Sequence, residues 1–369
     1  MRFAADENNT KITGRTIYRD GVRYLGYTGS SVSFRFKGKT AKVELVSDAS
    51  THEKRDYAWV AVFVKEEKDN EISYGAAADE EPYKRFCLDK DEAEYVLYES
   101  DEEKTVTVTL IKYSEAEYAA CGIKWIETDS EEILTPPAAK KLKIEMVGDS
   151  ITCGYGNEGG VEETQHDTSK ENPMGAYSLL TATHLDADVN VVAWNGKGVI
   201  TAYIGEDAPK VKDADWLVPM LYEYTDAGCE RDYLHTPEDK WEKWDNSNFI
   251  PDIITVYLGT NDASYTDNDA ARNEEFVNGY TKFIGTIRSK NPEIPILCML
   301  GTMDKRLCGS VERAVELFNS KNNTDNVYYL ELPFQDEADG LSINWHPTVK
   351  THRKTAEIVE KKIIEILKK

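Results

Sequence analysis

The hydrophobic pattern of this 369-residue chain changes its period once, at Leu134-Thr135-Pro136-Pro137. Two adjacent prolines cannot donate ladder hydrogen bonds and disrupt a helix interior, so neither a strand nor a helix is expected to continue through them. A single hydrophobic core stops growing at about 250–300 residues, which favours two domains in a chain of this length. We therefore predict one domain over residues 1–134 and a second over residues 135–369.

Before the prolines, short segments follow the pattern of β-strands. They cover residues 31–36, 41–45, 58–64 and 105–110. Alternation of polar and apolar residues that is rich in Val, Thr and aromatic side chains is typical of half-buried antiparallel strands. The first domain is therefore predicted to be a β-sandwich of the jelly-roll kind.

After the prolines, apolar segments of strand length alternate with amphipathic segments of helix length. The predicted strands are 142–147, 189–194, 252–258, 294–300 and 327–332, and the predicted helices are 175–185, 270–290, 310–322 and 347–367. Strands that are apolar on both faces and alternate with helices form a parallel sheet covered on both sides. The second domain is therefore predicted to be a three-layer α/β domain with its active site at the carboxyl edge of the strands.

The charge of the chain restricts its partners. It carries 67 acidic and 44 basic residues, a formal net charge of −23 at pH 7. Nucleic acids and anionic membranes attract clustered Lys and Arg, so we expect neither as a partner, whereas a neutral polysaccharide is not repelled. The sequence shows neither a secretory signal nor a membrane span, which predicts a cytoplasmic protein, or a secreted one if a leader has been trimmed. The oligomeric state stays open, with a homo-oligomer among the possibilities.

The cysteine and histidine pattern gives no sign of a metal or cofactor. The six cysteines contain no CxxC pair, and they are predicted to be free thiols. No cluster of His and Asp has the sequence spacing of metal ligands. We therefore expect no metal ion and no cofactor.

Three loops of the second domain carry polar residues directly after predicted strands. They are Gly148-Asp149-Ser150, Asn195-Gly196-Lys197-Gly198 and Gly259-Thr260-Asn261-Asp262. Because the carboxyl ends of parallel strands meet at one edge of the sheet, we expect these loops to lie together. A serine in such a glycine-rich turn can present its hydroxyl to a cleft, so Ser150 is a candidate nucleophile.

The same loops offer donors for an oxyanion. An acyl-transfer enzyme needs two or three donors that converge on the oxygen that becomes negative. The candidates are the N–H groups of Ser150 and Gly198 and the side-chain amide of Asn261. Taken singly, each residue has a structural explanation: a helix cap, a tight turn and an Asx turn, respectively. Their joint occurrence after successive strands favours an acyl-transfer site.

A histidine completes this set. His346 is followed by Pro347, at the predicted start of the final helix. Proline is well suited to the first turn of a helix, and it leaves the preceding histidine outside the helical hydrogen bonds. His346 is therefore a candidate general base.

These motifs, in this order, resemble the four blocks of the SGNH (GDSL-type) hydrolases. They comprise Gly148-Asp149-Ser150, Gly198, Gly259-Thr260-Asn261-Asp262 and Trp345-His346-Pro347. With the preceding β domain and the run from Gly148 to Gly156, the chain is similar to carbohydrate esterase family 2, two-domain esterases of the acetyl xylan type. The resemblance implies a carboxylic ester hydrolase that removes acetyl groups from acetylated plant polysaccharides or oligosaccharides. It also implies an acyl-enzyme at Ser150, with His346 as the base.

One departure from the family pattern concerns the residues before His346. Many SGNH enzymes have an Asp three residues before this His and some family 2 members have one two residues before it, but this chain has Ile343 and Asn344. We expect a Ser–His dyad whose imidazole is held by a backbone carbonyl or by the Asn344 amide oxygen. Asp336 and Asp339 are the alternatives, and neither has the motif spacing.

Two aromatic residues adjoin the motifs. Trp345 precedes His346 and Tyr155 follows the nucleophile turn. Either ring could stack on a sugar, and either is equally explained by packing at a domain seam. Three other functions stay open at this point: an SGNH lipase or thioesterase acting on small acyl esters, a non-catalytic carbohydrate-binding protein, and a metal-dependent deacetylase.

Overall fold

The structure is a computed structural model that describes residues 1–67 and 80–369. The strands of the first half are β1 (Arg2–Phe3), β2 (Lys11–Thr13), β3 (Ile17–Arg19), β4 (Val22–Tyr24), β5 (Ser31–Val46), β6 (Trp59–Glu66), β7 (Lys84–Cys87), β8 (Glu92–Lys112) and β9 (Gly122–Thr128). Those of the second half are β10 (Leu142–Gly148), β11 (Ala187–Ala193), β12 (Ile253–Tyr257), β13 (Ile296–Leu300) and β14 (Val327–Glu331). The α-helices are α1 (Ser150–Cys153), α2 (Tyr177–His184), α3 (Val218–Leu221), α4 (Thr260–Thr266), α5 (Ala270–Lys290), α6 (Cys308–Asn322) and α7 (Val349–Leu367).

The first half of the chain is an antiparallel β domain in which β5 and β8 run through both layers. The central order is β3-β4-β9-β5-β8-β6-β7, with β1 beside β9 and β2 beside β5. The pairing of β5 with β8 shifts register between Gly38 and Thr40, and such irregularities bend a strand. Across this bend the core-facing residues of β5 change from even to odd numbers: Val32, Phe34 and Phe36, then Ala41, Val43 and Leu45. Both halves of β5 thus face one core, and the predicted β-sandwich is confirmed.

The strand β6 is buried on both faces. Val60 and Val62 belong to the core of the β-sandwich, whereas Ala61 and Phe63 belong to the core of the second domain. A strand that is buried on both faces has a nearly continuous apolar sequence. The alternation predicted for residues 58–64 is therefore wrong: this segment is apolar along its whole length, because the second domain packs on the outer face of β6.

The second half of the chain contains the predicted parallel sheet. Its order is β11-β10-β12-β13-β14, and every neighbouring pair is parallel. Gly148 pairs with both Ala193 and Tyr257, so β10, β11 and β12 end at the same level. From β10 the chain continues to β11, toward one edge of the sheet, and from β12 it continues to β13, toward the other edge. Right-handed crossovers in these two directions place the connecting helices on opposite faces of the sheet. The predicted three-layer α/β architecture is confirmed.

The predicted segments of the second domain agree closely with the structure. The ends of the five predicted strands and four predicted helices differ from the observed ones by no more than two residues. The short helices α1, α3 and α4 were not predicted. No helix among the described residues is long and apolar enough to cross a membrane. The domain boundary after residue 134 falls between β9 and β10 and stays a prediction.

A buried arginine joins the two domains. Arg15 is fully buried, and its guanidinium donates to the carbonyl oxygens of Tyr222 and Tyr224 at 2.8 and 3.1 Å. It also lies 3.4 Å from the buried carboxylate of Glu145 on β10. Removing one partner of a buried ion pair leaves the other charge uncompensated, which costs more than the loss of the attraction alone.

We predict that Arg15→Met lowers the free energy of unfolding by about 3–5 kcal/mol, because the Glu145 carboxylate then stays buried without its cation. Urea unfolding followed by tryptophan fluorescence measures this change. The matched control is Lys37→Met, which removes an exposed ion pair with Glu103 and should leave the unfolding midpoint almost unchanged. Equal urea midpoints for the two variants would show that Arg15 does not stabilise the contact between the two domains, which we call the seam.

Candidate active site

Ser150 lies where β10 turns sharply into α1. The Asp149 carboxylate caps this helix and accepts a hydrogen bond from the Ile151 N–H at 3.1 Å. Gly154, at φ 84°, ends the helix after one turn. A Cβ atom at Gly148 would stand 1.9 Å from the Thr152 hydroxyl oxygen, so only glycine fits at the end of the strand. This turn holds Ser150 at the carboxyl edge of the sheet, with 4% of its surface exposed.

His346 contacts Ser150 directly. Its Nε2 atom lies 2.9 Å from the Ser150 Oγ atom, and its Nδ1 atom lies 3.0 Å from the Ile343 carbonyl oxygen. A carbonyl can only accept a hydrogen bond, so Nδ1 carries the proton and Nε2 is left as the acceptor. The tautomer set by Ile343 is therefore the one that can take a proton from the Ser150 hydroxyl.

A left-handed turn brings the Ile343 carbonyl onto the ring. Asn344 and Trp345 both have positive φ angles, 52° and 58°, and the Ser342 N–H donates to the His346 carbonyl at 2.9 Å. The Asn344 side chain points elsewhere, because its amide nitrogen donates to the Tyr155 hydroxyl at 3.1 Å. Of the two acceptors expected for the imidazole, the structure contains the backbone carbonyl and not the Asn344 amide.

Neither of the two alternative acids reaches His346. Asp336 caps a 3-10 turn by accepting from the Ala338 N–H at 2.9 Å. Asp339 pairs with Lys350 at 2.9 Å and also with Lys354. No carboxylate in the described part of the chain hydrogen-bonds to the imidazole. The geometry is that of a Ser–His dyad.

The three expected oxyanion donors lie side by side. The Asn261 amide nitrogen donates to the Lys197 carbonyl at 3.0 Å and to the Asp149 carboxylate at 3.3 Å, which places it between the neighbours of Gly198 and Ser150. The Ser150 N–H donates to no acceptor among residues 1–67 and 80–369, and the Gly198 N–H lies in the short bridge that pairs Lys197 with Ala202. The free Ser150 N–H and the Asn261 amide thus lie on neighbouring loops, with the Gly198 turn beside them.

Asp262 holds the loop that presents Gly198, a function that sequence reasoning missed. Its buried carboxylate accepts hydrogen bonds from the N–H groups of Val199, Ile200 and Thr201 at 3.0, 2.8 and 3.3 Å. A Cβ atom at Gly198 would stand 2.4 Å from this carboxylate, so only glycine allows the close approach. Asp262 is the last residue of the Gly259–Asp262 motif, so its position was visible in the sequence. Its function was not, because the three N–H groups that donate to it lie about sixty residues earlier in the chain.

Burial sets the protonation states in the site. It lowers the pKa of His346 to about 4, because the imidazolium loses its water, and the Ile343 and Asn344 carbonyls oppose this only in part. The imidazole is therefore neutral at pH 7 and available as a base. Burial likewise raises the pKa of Asp149 to about 7 and that of Asp262 to about 6, against the hydrogen bonds that favour their charged forms.

The two predicted aromatic residues differ in their surroundings. Tyr155 is 6% exposed, and its ring packs 4.5 Å from the His346 ring and 4.2 Å from the His166 ring. Tyr118 of the first domain stacks on His166 in turn, at 4.7 Å. Trp345, by contrast, is 63% exposed beside His346. Trp345 is available to a sugar ring, whereas Tyr155 is a packing residue that supports His346.

Comparisons with known proteins agree with this architecture. The model of the GDSL-like Lipase/Acylhydrolase family matches residues 146–354, and that of the Carbohydrate esterase 2 N-terminal domain matches residues 12–137. The solved structure of a family two carbohydrate esterase from Clostridium thermocellum in complex with cellohexaose is similar, with a TM-score of 0.79 and 27% identity. It covers 97% of this chain and 99% of that one.

Two curated relatives match nearly the whole chain. The cellulase/esterase CelE of Acetivibrio thermocellus is 29% identical over 95% of this chain, which spans only 39% of the length of that relative. An acetylxylan esterase / glucomannan deacetylase of Cellvibrio japonicus is 26% identical over 99% of this chain and 91% of its own length. The match therefore includes both domains.

We predict that the imidazole of His346 does not titrate between pH 5 and pH 8, because burial lowers its pKa to about 4. Nitrogen-15 NMR of histidine-labelled protein measures the state of each ring, and His346→Gln identifies its signals. The expected spectrum shows a neutral ring with the proton on Nδ1 across this range. A titration midpoint near 6.5 would instead mean that water reaches the imidazolium.

Proposed function

Since the chain belongs to the GDSL-like lipase/acylhydrolase family and carries the carbohydrate esterase 2 N-terminal domain, we propose that it is a serine esterase that deacetylates plant polysaccharides or oligosaccharides, with acetyl xylan as the first candidate. The observation that carries the proposal is the 2.9 Å contact between Ser150 Oγ and His346 Nε2, on a loop that adjoins the Asn261 amide and the Gly198 turn.

In the first step the Ser150 hydroxyl attacks the acetyl carbonyl carbon. Its proton passes to Nε2 of His346, and the carbonyl oxygen becomes negative. The N–H groups of Ser150 and Gly198 and the amide of Asn261 donate to this oxygen. For Asn261 this means exchanging its longer bond, 3.3 Å to Asp149, for one to the oxyanion.

In the second step the tetrahedral intermediate collapses. The imidazolium of His346 gives its proton to the sugar oxygen, the sugar leaves with a free hydroxyl, and Ser150 keeps the acetyl group. Water then attacks this ester while His346 takes its proton, and acetate leaves as Ser150 is regenerated.

The substrate proposal rests on the relatives and on the surface beside the site. One relative is named for acetylxylan and glucomannan, and one structural neighbour holds cellohexaose. Trp345 is exposed next to His346, and the C–H face of a sugar packs well on an indole ring. The net charge of −23 favours a neutral carbohydrate and disfavours nucleic acid and anionic membranes as partners.

We predict that Ser150→Ala lowers kcat for acetate release from acetylated xylan by about 10³-fold or more, because the nucleophile is lost. Acetylated glucomannan and p-nitrophenyl acetate are assayed in parallel, and circular dichroism checks the fold. A folded variant that kept a tenth of the wild-type rate would exclude Ser150 as the nucleophile. Faster hydrolysis of long-chain than of acetyl esters by the wild type would favour a lipase.

The control variants are Asp336→Ala and Asp339→Ala. Both remove an acid that does not contact the imidazole, so both should keep the wild-type rate. A loss of about 10⁴-fold in kcat from either one, the size seen when a triad Asp is replaced, would reveal a triad and contradict the dyad.

We predict that Asn261→Ala lowers kcat by about 10²–10³-fold with little change in KM, because its amide gains its bond to the oxyanion only as the negative charge forms. Steady-state kinetics on p-nitrophenyl acetate separate the two constants. If KM rose and kcat held, Asn261 would be a substrate-binding residue.

A further inference from the structure

Three ionisable side chains meet at the seam between the domains, outside the Ser–His pair. Glu115 follows β8 in the first domain, whereas His166 and Glu171 lie between α1 and α2 in the second. One ligand atom of each lies within 4.8 Å of the others. Both glutamates are fully buried, and the His166 side chain is only 9% exposed.

The backbone orients both carboxylates and leaves one oxygen of each free. The Asn195 N–H donates to Oε2 of Glu115 at 2.9 Å, and the Glu115 N–H donates to Oε2 of Glu171 at 2.8 Å. The Oε1 atoms of both glutamates are buried without a hydrogen-bond donor among the described residues. Buried polar atoms are rarely left in this state.

His166 adds a third unsatisfied atom. Its Nε2 lies 2.9 Å from Oε1 of Glu171, yet neither ring nitrogen makes a hydrogen bond of acceptable geometry with the described part of the chain. The rings of Tyr118 and Tyr155 stack on it at 4.7 and 4.2 Å and hold its plane. One nitrogen and two oxygens therefore converge, each held in place by its surroundings.

The local charge requires compensation. Lys112 is buried nearby, but its ammonium donates to the backbone carbonyls of Gly26, Ser114 and Glu115 at 2.9 to 3.0 Å. The two buried carboxylates lie close together, and desolvated like charges cannot both persist without a compensating group. Either a proton or a cation must balance this pair.

We propose that Glu115, His166 and Glu171 bind one divalent transition-metal ion, with Zn²⁺ as the first candidate. An imidazole nitrogen with two carboxylate oxygens suits Zn²⁺, whereas Ca²⁺ and Mg²⁺ prefer sites built from oxygen alone. Zinc binds such ligands at about 2.0–2.2 Å, and so small side-chain shifts would bring all three atoms onto one ion.

The ion would tie the domains together. Glu115 belongs to the first domain, and the other two ligands belong to the second. The ring of His166 packs on Tyr155, which packs on His346. The ion therefore stabilises the seam and the packing behind His346, and it takes no part in the ester chemistry.

The test starts with chelator-treated, full-length wild type. Calorimetric titration with ZnCl₂ and elemental analysis after dialysis should give one tightly bound ion per chain, and the melting temperature should rise on loading. His166→Ala and Glu171→Gln should each weaken Zn²⁺ binding at least tenfold. The matched control is His184→Ala, which removes an imidazole paired with Glu360 on the surface and should bind Zn²⁺ as the wild type does.

Two results would overturn the proposal. One is a wild type that binds no Zn²⁺, in which case the carboxylates share a proton instead. The other is equal binding by wild type and by His166→Ala, which would place the ion on the acidic surface. If the variants do not fold, zinc X-ray absorption on the loaded wild type decides, since a shell of one imidazole and oxygen donors is expected and a shell without imidazole contradicts the site.

Discussion

The geometry of the candidate site depends on one register in the parallel sheet. Gly148 at the end of β10 pairs with Ala193 of β11 and with Tyr257 of β12, so three consecutive strands end level. The loops that follow emerge side by side, and they carry Ser150, the Gly198 turn and Asn261. A slip of one residue in this pairing would turn the side chains of the shifted strand to the opposite face of the sheet and separate the loops. The Asp262 carboxylate then accepts hydrogen bonds from the backbone of the second loop and so fixes the position of that loop.

The first domain supports this geometry and is more than an appended module. Its strand β6 buries Ala61 and Phe63 in the core of the second domain, and Arg15 pairs with Glu145 across the seam. Tyr118 stacks on His166, which packs on Tyr155 and through it on the imidazole of His346. The position of the base is therefore linked by contiguous packing to a domain that supplies neither the nucleophile nor the oxyanion donors.

The sequence predicted what depends on local periodicity and on strand ends, and it missed what depends on contacts between distant segments. The α/β rhythm located the helices and strands of the second domain to within two residues, and motifs after successive strands located Ser150 and Asn261. The side-chain direction of Asn344 was not predictable, because it depends on a hydrogen bond to Tyr155, which is 189 residues away in the sequence. The Glu115, His166 and Glu171 cluster was missed for a related reason: its members come from two domains and share no motif spacing.

In a dyad, which lacks the carboxylate of a triad, stabilisation of the charges in the transition state depends more strongly on the oxyanion donors. An imidazole that is largely desolvated and held by a neutral carbonyl keeps the right tautomer, but its pKa of about 4 makes the transfer of a proton from serine less favourable than it is beside a carboxylate. No carboxylate of residues 1–67 or 80–369 hydrogen-bonds to the imidazole, so none of them supplies the negative charge that would stabilise the imidazolium at rest. A negative charge appears on the substrate oxygen during the reaction, within a water-poor site where opposite charges attract strongly. Donors that hold this oxyanion in place thereby also stabilise the protonated His346, so the loop carrying Gly198 and the amide of Asn261 serve both charges of the transition state.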